Sequence, residues 1–157
     1  MAKGGNVNFR DLKDFRQKLE KTFGDGKQVD LFIESCAKEL AARLLAKVIK
    51  RTPVGQYSKS SGKKGGTLRR GWTAGKGQAA YEYANSLKVN CFGDTYVIEI
   101  INPVEYASYV EFGHRTRDHE GWVEGKFMLT ISEQEIESDA PKILENKLKK
   151  KLGECFR

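Results

Sequence analysis

The residues best suited to chemistry in this sequence are two histidines and their acidic neighbours. His114 and His119 stand five positions apart, and Glu111, Asp118 and Glu120 lie close by. Imidazole and carboxylate groups are common zinc ligands and general bases. A spacing of five, however, does not place two imidazoles on one helical face as the H-E-x-x-H pattern does. The pattern therefore favours surface or interface histidines over a metal site.

The cysteines and glycines offer no stronger catalytic pattern. Cys36, Cys91 and Cys155 form an odd set without a C-x-x-C pair, which predicts neither a disulfide framework nor a zinc cluster. The glycine-rich run 61–67 lacks the G-x-x-x-x-G-K-[ST] order of a phosphate loop. We therefore expect no catalytic residue, no metal and no cofactor.

The charge distribution points to a second kind of site. The chain carries 28 Lys and Arg against 21 Asp and Glu, a net charge of +7, and no acidic residue occurs between Leu40 and Tyr81. A localised basic field commonly meets a polyanion, above all nucleic acid, although lysines can equally serve only to keep a loop solvated. The candidate contacts with DNA, or with the lumen of an assembly, are Lys59, Lys63, Lys64, Arg69 and Arg70.

Large aromatic residues are concentrated between positions 106 and 122, beside two arginines. Tyr, Trp and Arg at this density are typical of interface hot spots, and a small satellite core is the alternative. The candidate interface residues are Tyr106, Tyr109, Glu111, Phe112, His114, Arg115 and Trp122.

Two helices are predicted before these sites. Apolar residues recur at spacings of three and four from Asn8 to Phe23, and again from about Asp30 to Arg51. The Asp30 carboxylate is expected to cap the second helix, which the following Thr-Pro pair ends. Residues 53–66 are rich in Gly, Ser and Lys, a composition that predicts a flexible basic loop.

Strands and further helices follow the loop. Alternating residues in 67–74 predict an edge strand, and 87–91 with 96–101 predict a hairpin around a Gly-Asp turn. Residues 104–112 predict a short helix that ends at Gly113, and 114–125 are expected to cross the surface as a polar turn. The chain turns helical again from Phe127. Ser132 and Glu135 have the spacing of a capping box, but Met128 and Leu129 fit a helix that starts earlier equally well. A break or kink is expected at Pro141.

This order of elements predicts an α+β fold, with one antiparallel sheet of three to four strands and helices packed on one face. The length of 157 residues predicts a single domain, 1–157, with the flexible basic loop at 53–66. No apolar run reaches the length needed to cross a bilayer, so we expect no membrane contact.

Several motifs together resemble the minor tail-component family of long-tailed bacteriophages, which includes neck and tail-completion proteins. The Tyr-Ala-x-Tyr-Val-Glu-Phe-Gly stretch after an Asn-Pro pair is the most specific of them, and the resemblance covers residues 29–152. The motifs are Thr52-Pro53-Val54, the run Thr67–Trp72, Asn102-Pro103, the run Tyr106–His114 and the run Gly121–Met128. Many members have a short Thr-Pro-Val-Asp-Thr-Gly-x-Leu run where this chain inserts Gly55–Gly66.

The resemblance implies a structural protein rather than an enzyme. It implies a homo-oligomer that caps the tail tube and joins the tail to the head. A hexameric ring is expected on the tail, and a ring and a monomer are both open for the protein in solution. The implied partners are the tail tube or sheath protein and the head–tail connector, and the basic residues add a non-specific contact with DNA to these expectations. The implied location is the virion tail or neck, after assembly in the bacterial host cytoplasm.

The basic stretch 43–76 supports an alternative of a different class, a free-standing nucleic-acid-binding protein. No paired carboxylates accompany a histidine in the manner of a nuclease, which speaks against a catalytic form of this alternative.

Overall fold

Two long helices frame the fold in the computed structural model, which describes residues 17, 20–21, 24 and 26–155. The helix predicted at 8–23 lies almost wholly outside these residues. The elements are α1 (Gly26–Arg51), a 3₁₀ turn (Lys59–Ser61), α2 (Thr67–Gly71), α3 (Ala80–Ser86), β1 (Asn90–Phe92), β2 (Thr95–Val97), α4 (Ala107–Phe112), β3 (Gly113–Arg115), β4 (Trp122–Glu124) and α5 (Met128–Cys155). The α+β class is confirmed.

Helix α1 forms the centre of the core. Its apolar residues recur at helical spacing, so one face is buried along the whole helix, mainly against α3 and α5. Each buried Leu, Ile or Val contributes roughly 1.5–3 kcal/mol relative to an exposed position. The fully buried large side chains on these two long helices are Val29, Ile33, Leu40, Leu44, Leu45, Val48, Met128 and Ile136.

Ion pairs at the edge of this core fix α5 on α1. Glu135 accepts hydrogen bonds from Lys47 at 2.8 Å and from Arg51 at 2.6 Å, and Lys147 donates to Glu39 at 2.9 Å. The hydrogen bonds from Lys47 and Arg51 hold the pKa of Glu135 below its usual value. Burial raises the pKa of Glu39, but the hydrogen bonds from Lys147 and Arg43 outweigh it, and the pKa is lowered.

The start of α1 and the course of α5 differ from the predictions. Asp30 lies inside α1 rather than at its cap, and its carboxylate accepts a hydrogen bond from the Tyr96 hydroxyl at 3.0 Å. Helix α5 runs through Pro141 without a break. Of the two starts predicted for this helix, the structure has the earlier one, at Met128. The Ser132 hydroxyl donates to the Met128 carbonyl at 2.6 Å inside α5. Packing and ion pairs along α1 offset the hydrogen bond that the proline cannot donate.

The segment 67–74 is a helix and a turn, not the predicted edge strand. Leu68 and Trp72 are both buried and stand four positions apart, which fits one helical face as well as it fits alternation. Trp72 donates its indole N–H to the Thr52 hydroxyl oxygen at 2.7 Å, while Arg69 donates to the Thr52 carbonyl at 2.8 Å. This polar cluster therefore locks α2 onto the end of α1.

The predicted hairpin exists as β1 and β2, shorter than expected, with Cys91 paired to Tyr96. A second hairpin, β3 and β4, occupies the region predicted as a polar turn. Within the described residues the strands form two separate two-stranded antiparallel sheets, in place of the single sheet of three to four strands. No helix in the described part of the chain is long and apolar enough to cross a membrane.

Candidate assembly surface

Helix α4 and the hairpin β3–β4 form one tightly connected unit. The backbone N–H groups of Lys126 and Phe127 donate to the carbonyls of Val110 and Glu111 at 2.7 and 3.0 Å. Two glycines permit this close return of the chain, because a Cβ on Gly113 would lie 2.5 Å from the Val123 oxygen and one on Gly125 would lie 2.3 Å from the Glu111 oxygen. The hairpin is therefore fixed against the end of α4.

The Glu111 carboxylate joins this unit to α5. It accepts hydrogen bonds from the N–H groups of Leu129 and Thr130, both at 2.9 Å, and from the Thr130 hydroxyl at 2.8 Å. The first N–H groups of a helix have no partner within the helix, and an anion there is favoured by the helix dipole. Glu111 is only 6% exposed, so this predicted interface residue braces the surface from inside instead of meeting a partner.

The aromatic residues predicted at the interface are exposed, so they do not form a satellite core. We define the aromatic surface as five residues just before and on α4, on β4 and in the turn before α5, each between 42% and 60% exposed: Tyr106, Tyr109, Phe112, Trp122 and Phe127. Exposed large apolar side chains of this kind make the surface a candidate interaction site.

One member of this surface, Phe127, was not among the interface residues predicted from the sequence. Phe127 has a φ of +46°, a backbone conformation that a bulky residue rarely adopts. Its N–H bond to the Glu111 carbonyl and the capped helix that follows hold it there. Strain of this kind is often found at functional positions. No periodicity in the sequence signals it.

His114 lies beside the aromatic surface. The ring of His114 packs edge to face with Tyr109, with centroids 5.8 Å apart. Asp118 accepts hydrogen bonds from the Thr116 hydroxyl and the Glu120 N–H, which lower its pKa and tie it into the turn. Among the described residues no three His, Cys, Asp or Glu side chains are grouped to hold a metal.

The thiols differ in accessibility. Cys36 is buried in the core, and desolvation raises the pKa of its thiol to about 12. A protonated buried thiol is a packing group, not a nucleophile. Cys91 is exposed on β1.

The predicted basic residues divide into two groups. Arg69 is half-buried and donates to the carbonyl at the end of α1, so it is part of the fold. Lys59, Lys63, Lys64 and Arg70 are exposed, and we call these four the basic surface.

The basic loop packs toward the first turn of α4. A cavity of about 310 Å³ separates them, with Lys64 at its edge. Its apolar lining is Pro53, Val54, Tyr57, Leu68, Tyr106 and Val110, and Thr67 and three glycines complete the wall. The basic and aromatic surfaces are therefore neighbours, with Tyr106 common to the aromatic surface and the cavity.

A family model described as "Bacteriophage HK97-gp10, putative tail-component" matches residues 13–113, well over half of the chain. The chain belongs to this HK97-gp10-like family. No curated protein and no solved structure matches it. Membership confirms the predicted family of phage tail components and supports a structural role in a bacteriophage particle.

The HK97-gp10-like match contains α1, the basic loop and α4, and it ends at Gly113 where β3 begins. The aromatic surface therefore spans the end of the match. Tyr106, Tyr109 and Phe112 lie within it, whereas Trp122 and Phe127 lie beyond it.

Proposed function

We propose that this chain is a ring-forming subunit that caps the phage tail tube and joins the tail to the head. It acts in the tail or neck of the virion, after assembly in the host cytoplasm, and has no enzymatic activity. Family membership supports a location in the phage tail. The proposal that the chain forms a ring rests on the aromatic surface. Its side chains are exposed, while other residues fill the core.

The chemistry of the aromatic surface suits a protein partner. Tyr and Trp carry much of the binding energy at interfaces, and a polar rim surrounds them. Here Tyr109 and Trp122 supply the aromatic area, while His114 and Arg115 supply exposed polar groups beside them. The partners we propose are neighbouring copies of the chain, the tail tube or sheath protein, and the head–tail connector.

The rigidity of the surface favours assembly. Side chains and loops that must be ordered on binding reduce affinity, so a surface fixed in advance binds more tightly. Glu111 fixes α4 to α5, and Gly113 and Gly125 fix the hairpin to α4. A closed ring repeats one such contact at every subunit boundary.

The basic surface is proposed to face the lumen of the ring or an acidic neighbour. Phosphate groups require positive charge within reach rather than a fixed geometry, so contact with DNA passing through the ring would be independent of sequence. Lys59, Lys63 and Lys64 have this character because they are exposed in a segment without acidic residues.

Deleting the gene from the phage or prophage that carries it tests the proposal. We expect tails of abnormal length that are not joined to heads, and we expect the wild-type gene supplied in trans to restore normal particles. Fully joined, infectious particles from the deleted genome would contradict the proposal.

The exposed lysines also support the alternative, a free-standing nucleic-acid-binding protein. This alternative predicts tight DNA binding by the purified monomer, with log affinity falling steeply with log salt, and loss of binding when the basic surface is changed to Gln. The ring subunit is expected to bind DNA only at the non-specific level, with a Kd of roughly 10⁻⁴–10⁻⁶ M at physiological salt. A DNA titration at several salt concentrations separates the two.

A further inference from the structure

The cavity between the basic loop and α4 has the features of a socket for one large side chain. Its lining combines apolar side chains with Lys64 and Thr67. Tyr57 is 54% exposed and Tyr106 is 45% exposed, so the apolar part of the wall is only partly covered within the chain. The loop that closes one side is held by a backbone contact. A Cβ on Gly65 would lie 2.0 Å from the Gly55 oxygen, so the two arms of the loop meet there.

The positive charge around this socket specifies what can enter it. Lys64 lines the cavity and Lys63 precedes it, in a stretch without any acidic residue from position 41 to 80. The complementary occupant is an aromatic side chain with carboxylates beside it, because the ring fills the apolar volume while the carboxylates meet the ammonium groups.

The hairpin β3–β4 presents such a group. Trp122 is 58% exposed, and Glu120 and Glu124 are exposed on either side of it. Side chains two positions apart in a strand point to the same side, so Trp122 and Glu124 face the same partner.

The socket and the tryptophan lie on different elements of the chain. The cavity is lined by Tyr106 and Val110, whereas the hairpin leaves the helix at Gly113 and Trp122 takes no part in lining the cavity of its own chain. Two different surfaces that fit each other on one subunit produce a head-to-tail contact, which generates a ring when the rotation closes.

We propose that Trp122 of one copy occupies the cavity of the next copy, with Glu120 and Glu124 facing Lys63 and Lys64. This inference rests on the proposed ring and names the partner of its aromatic surface: a second copy of this chain.

A photo-crosslinking amino acid at position 122 tests the contact in purified protein over a wide concentration range and in phage particles. We expect crosslinks between copies, mapped by mass spectrometry to residues 53–68 and 106–110. If rings form but their crosslinks map elsewhere, the proposed contact is wrong and the proposed ring stands. If the crosslinks map to the cavity but the largest species is a dimer, the proposed contact stands and the proposed ring is wrong. Protein without crosslinks between copies in either sample would overturn the contact, and the mass of the assembly would then report on the ring separately.

A charge exchange gives an independent test. Glu120→Lys with Glu124→Lys, and separately Lys63→Glu with Lys64→Glu, should each raise the concentration for half-assembly by about tenfold or more. The four substitutions together should restore most of the assembly. The matched control is Glu137→Lys with Glu154→Lys, two exposed carboxylates on α5, which should leave assembly unchanged. Failure of the combined variant to recover, with the control intact, would overturn the proposed pairing.

Discussion

The Glu111 carboxylate oxygen accepts hydrogen bonds from both the backbone N–H and the hydroxyl of Thr130, at 2.9 and 2.8 Å. A buried acidic side chain on a six-residue helix thereby caps the long C-terminal helix. The same contact holds the aromatic side chains of α4 in place. The architecture of the core and the presentation of the candidate site are therefore coupled through one residue.

Replacing Glu111 tests this coupling. Glu111→Ala leaves the first N–H groups of α5 without an acceptor, and we expect it to lower the free energy of unfolding by about 1–3 kcal/mol. Urea unfolding of the purified protein measures the change. Glu105→Ala, an exposed carboxylate just before α4, is the control and should have little effect. Equal stabilities for the two variants would show that the cap contributes nothing.

The pair of Thr52 and Trp72 gives a second prediction on stability. Thr52→Val keeps the shape but removes the oxygen that accepts from the Trp72 indole, and both side chains are buried. A buried donor without an acceptor costs about 1–3 kcal/mol. A double-mutant cycle with Trp72→Phe should show a favourable coupling energy between the two side chains. A coupling near zero would contradict the role assigned to this hydrogen bond.

The aromatic surface should matter for assembly and not for folding. Tyr109→Ala with Phe112→Ala removes exposed side chains, so the stability of the monomer should change by less than about 0.5 kcal/mol for each. Assembly, measured as mass by light scattering, should be lost. Tyr81→Ala with Phe92→Ala is the matched control, since these residues are 64% and 67% exposed outside the surface. Intact assembly of the first variant would contradict the assignment.

Glu133 should make the stability of the protein depend on pH. Burial raises its pKa, with smaller contributions from Glu111 and Glu137, and one of its oxygens is buried without a hydrogen-bond partner. The folded chain therefore binds this proton more tightly than the unfolded chain does. The contribution of Glu133 to stability falls as pH rises from the unfolded value of about 4.5 through the raised folded value.

Glu133→Gln should consequently stabilise the protein at pH 7, and the gain should vanish below pH 4. Thermal unfolding across this range measures it. Glu135→Gln should instead destabilise the protein at pH 7, because hydrogen bonds from Lys47 and Arg51 lower the pKa of Glu135. Its stabilising contribution is present above the unfolded pKa and is lost as pH falls through the folded pKa. A destabilised Glu133→Gln variant at pH 7 would contradict the account.

Periodicity predicted the elements whose pattern extends over many residues. Helix α1 carries its apolar spacing over most of its length and buries that face. The turn at Gly93 marked the first hairpin, and Gly113 marked the end of α4. These signals are local, so the sequence alone carries them.

The elements that were predicted wrongly depend on contacts distant in the sequence. Leu68 and Trp72 fit a strand or a helix by spacing, and the acceptor at Thr52 accompanies the helical arrangement. Helix α5 continues through Pro141 because α1 supplies partners along it. Such partners cannot be read from a local window of sequence.

The candidate site was predicted in composition but not in detail. The aromatic residues were identified by their density, and the structure shows them exposed. Nothing in the sequence of this segment distinguishes Glu111 from its neighbours, because a carboxylate that caps a later helix has no local sequence signal. Arg69 was grouped with the exposed lysines for the same reason, although it donates to the end of α1.

Light scattering of the purified protein over a wide concentration range, with electron micrographs of the largest species, tests directly whether the chain forms a ring. We predict closed rings of one stoichiometry, formed by the protein alone or on isolated tail tubes. A protein that stays monomeric at every concentration and forms no ring on tail tubes would contradict the account.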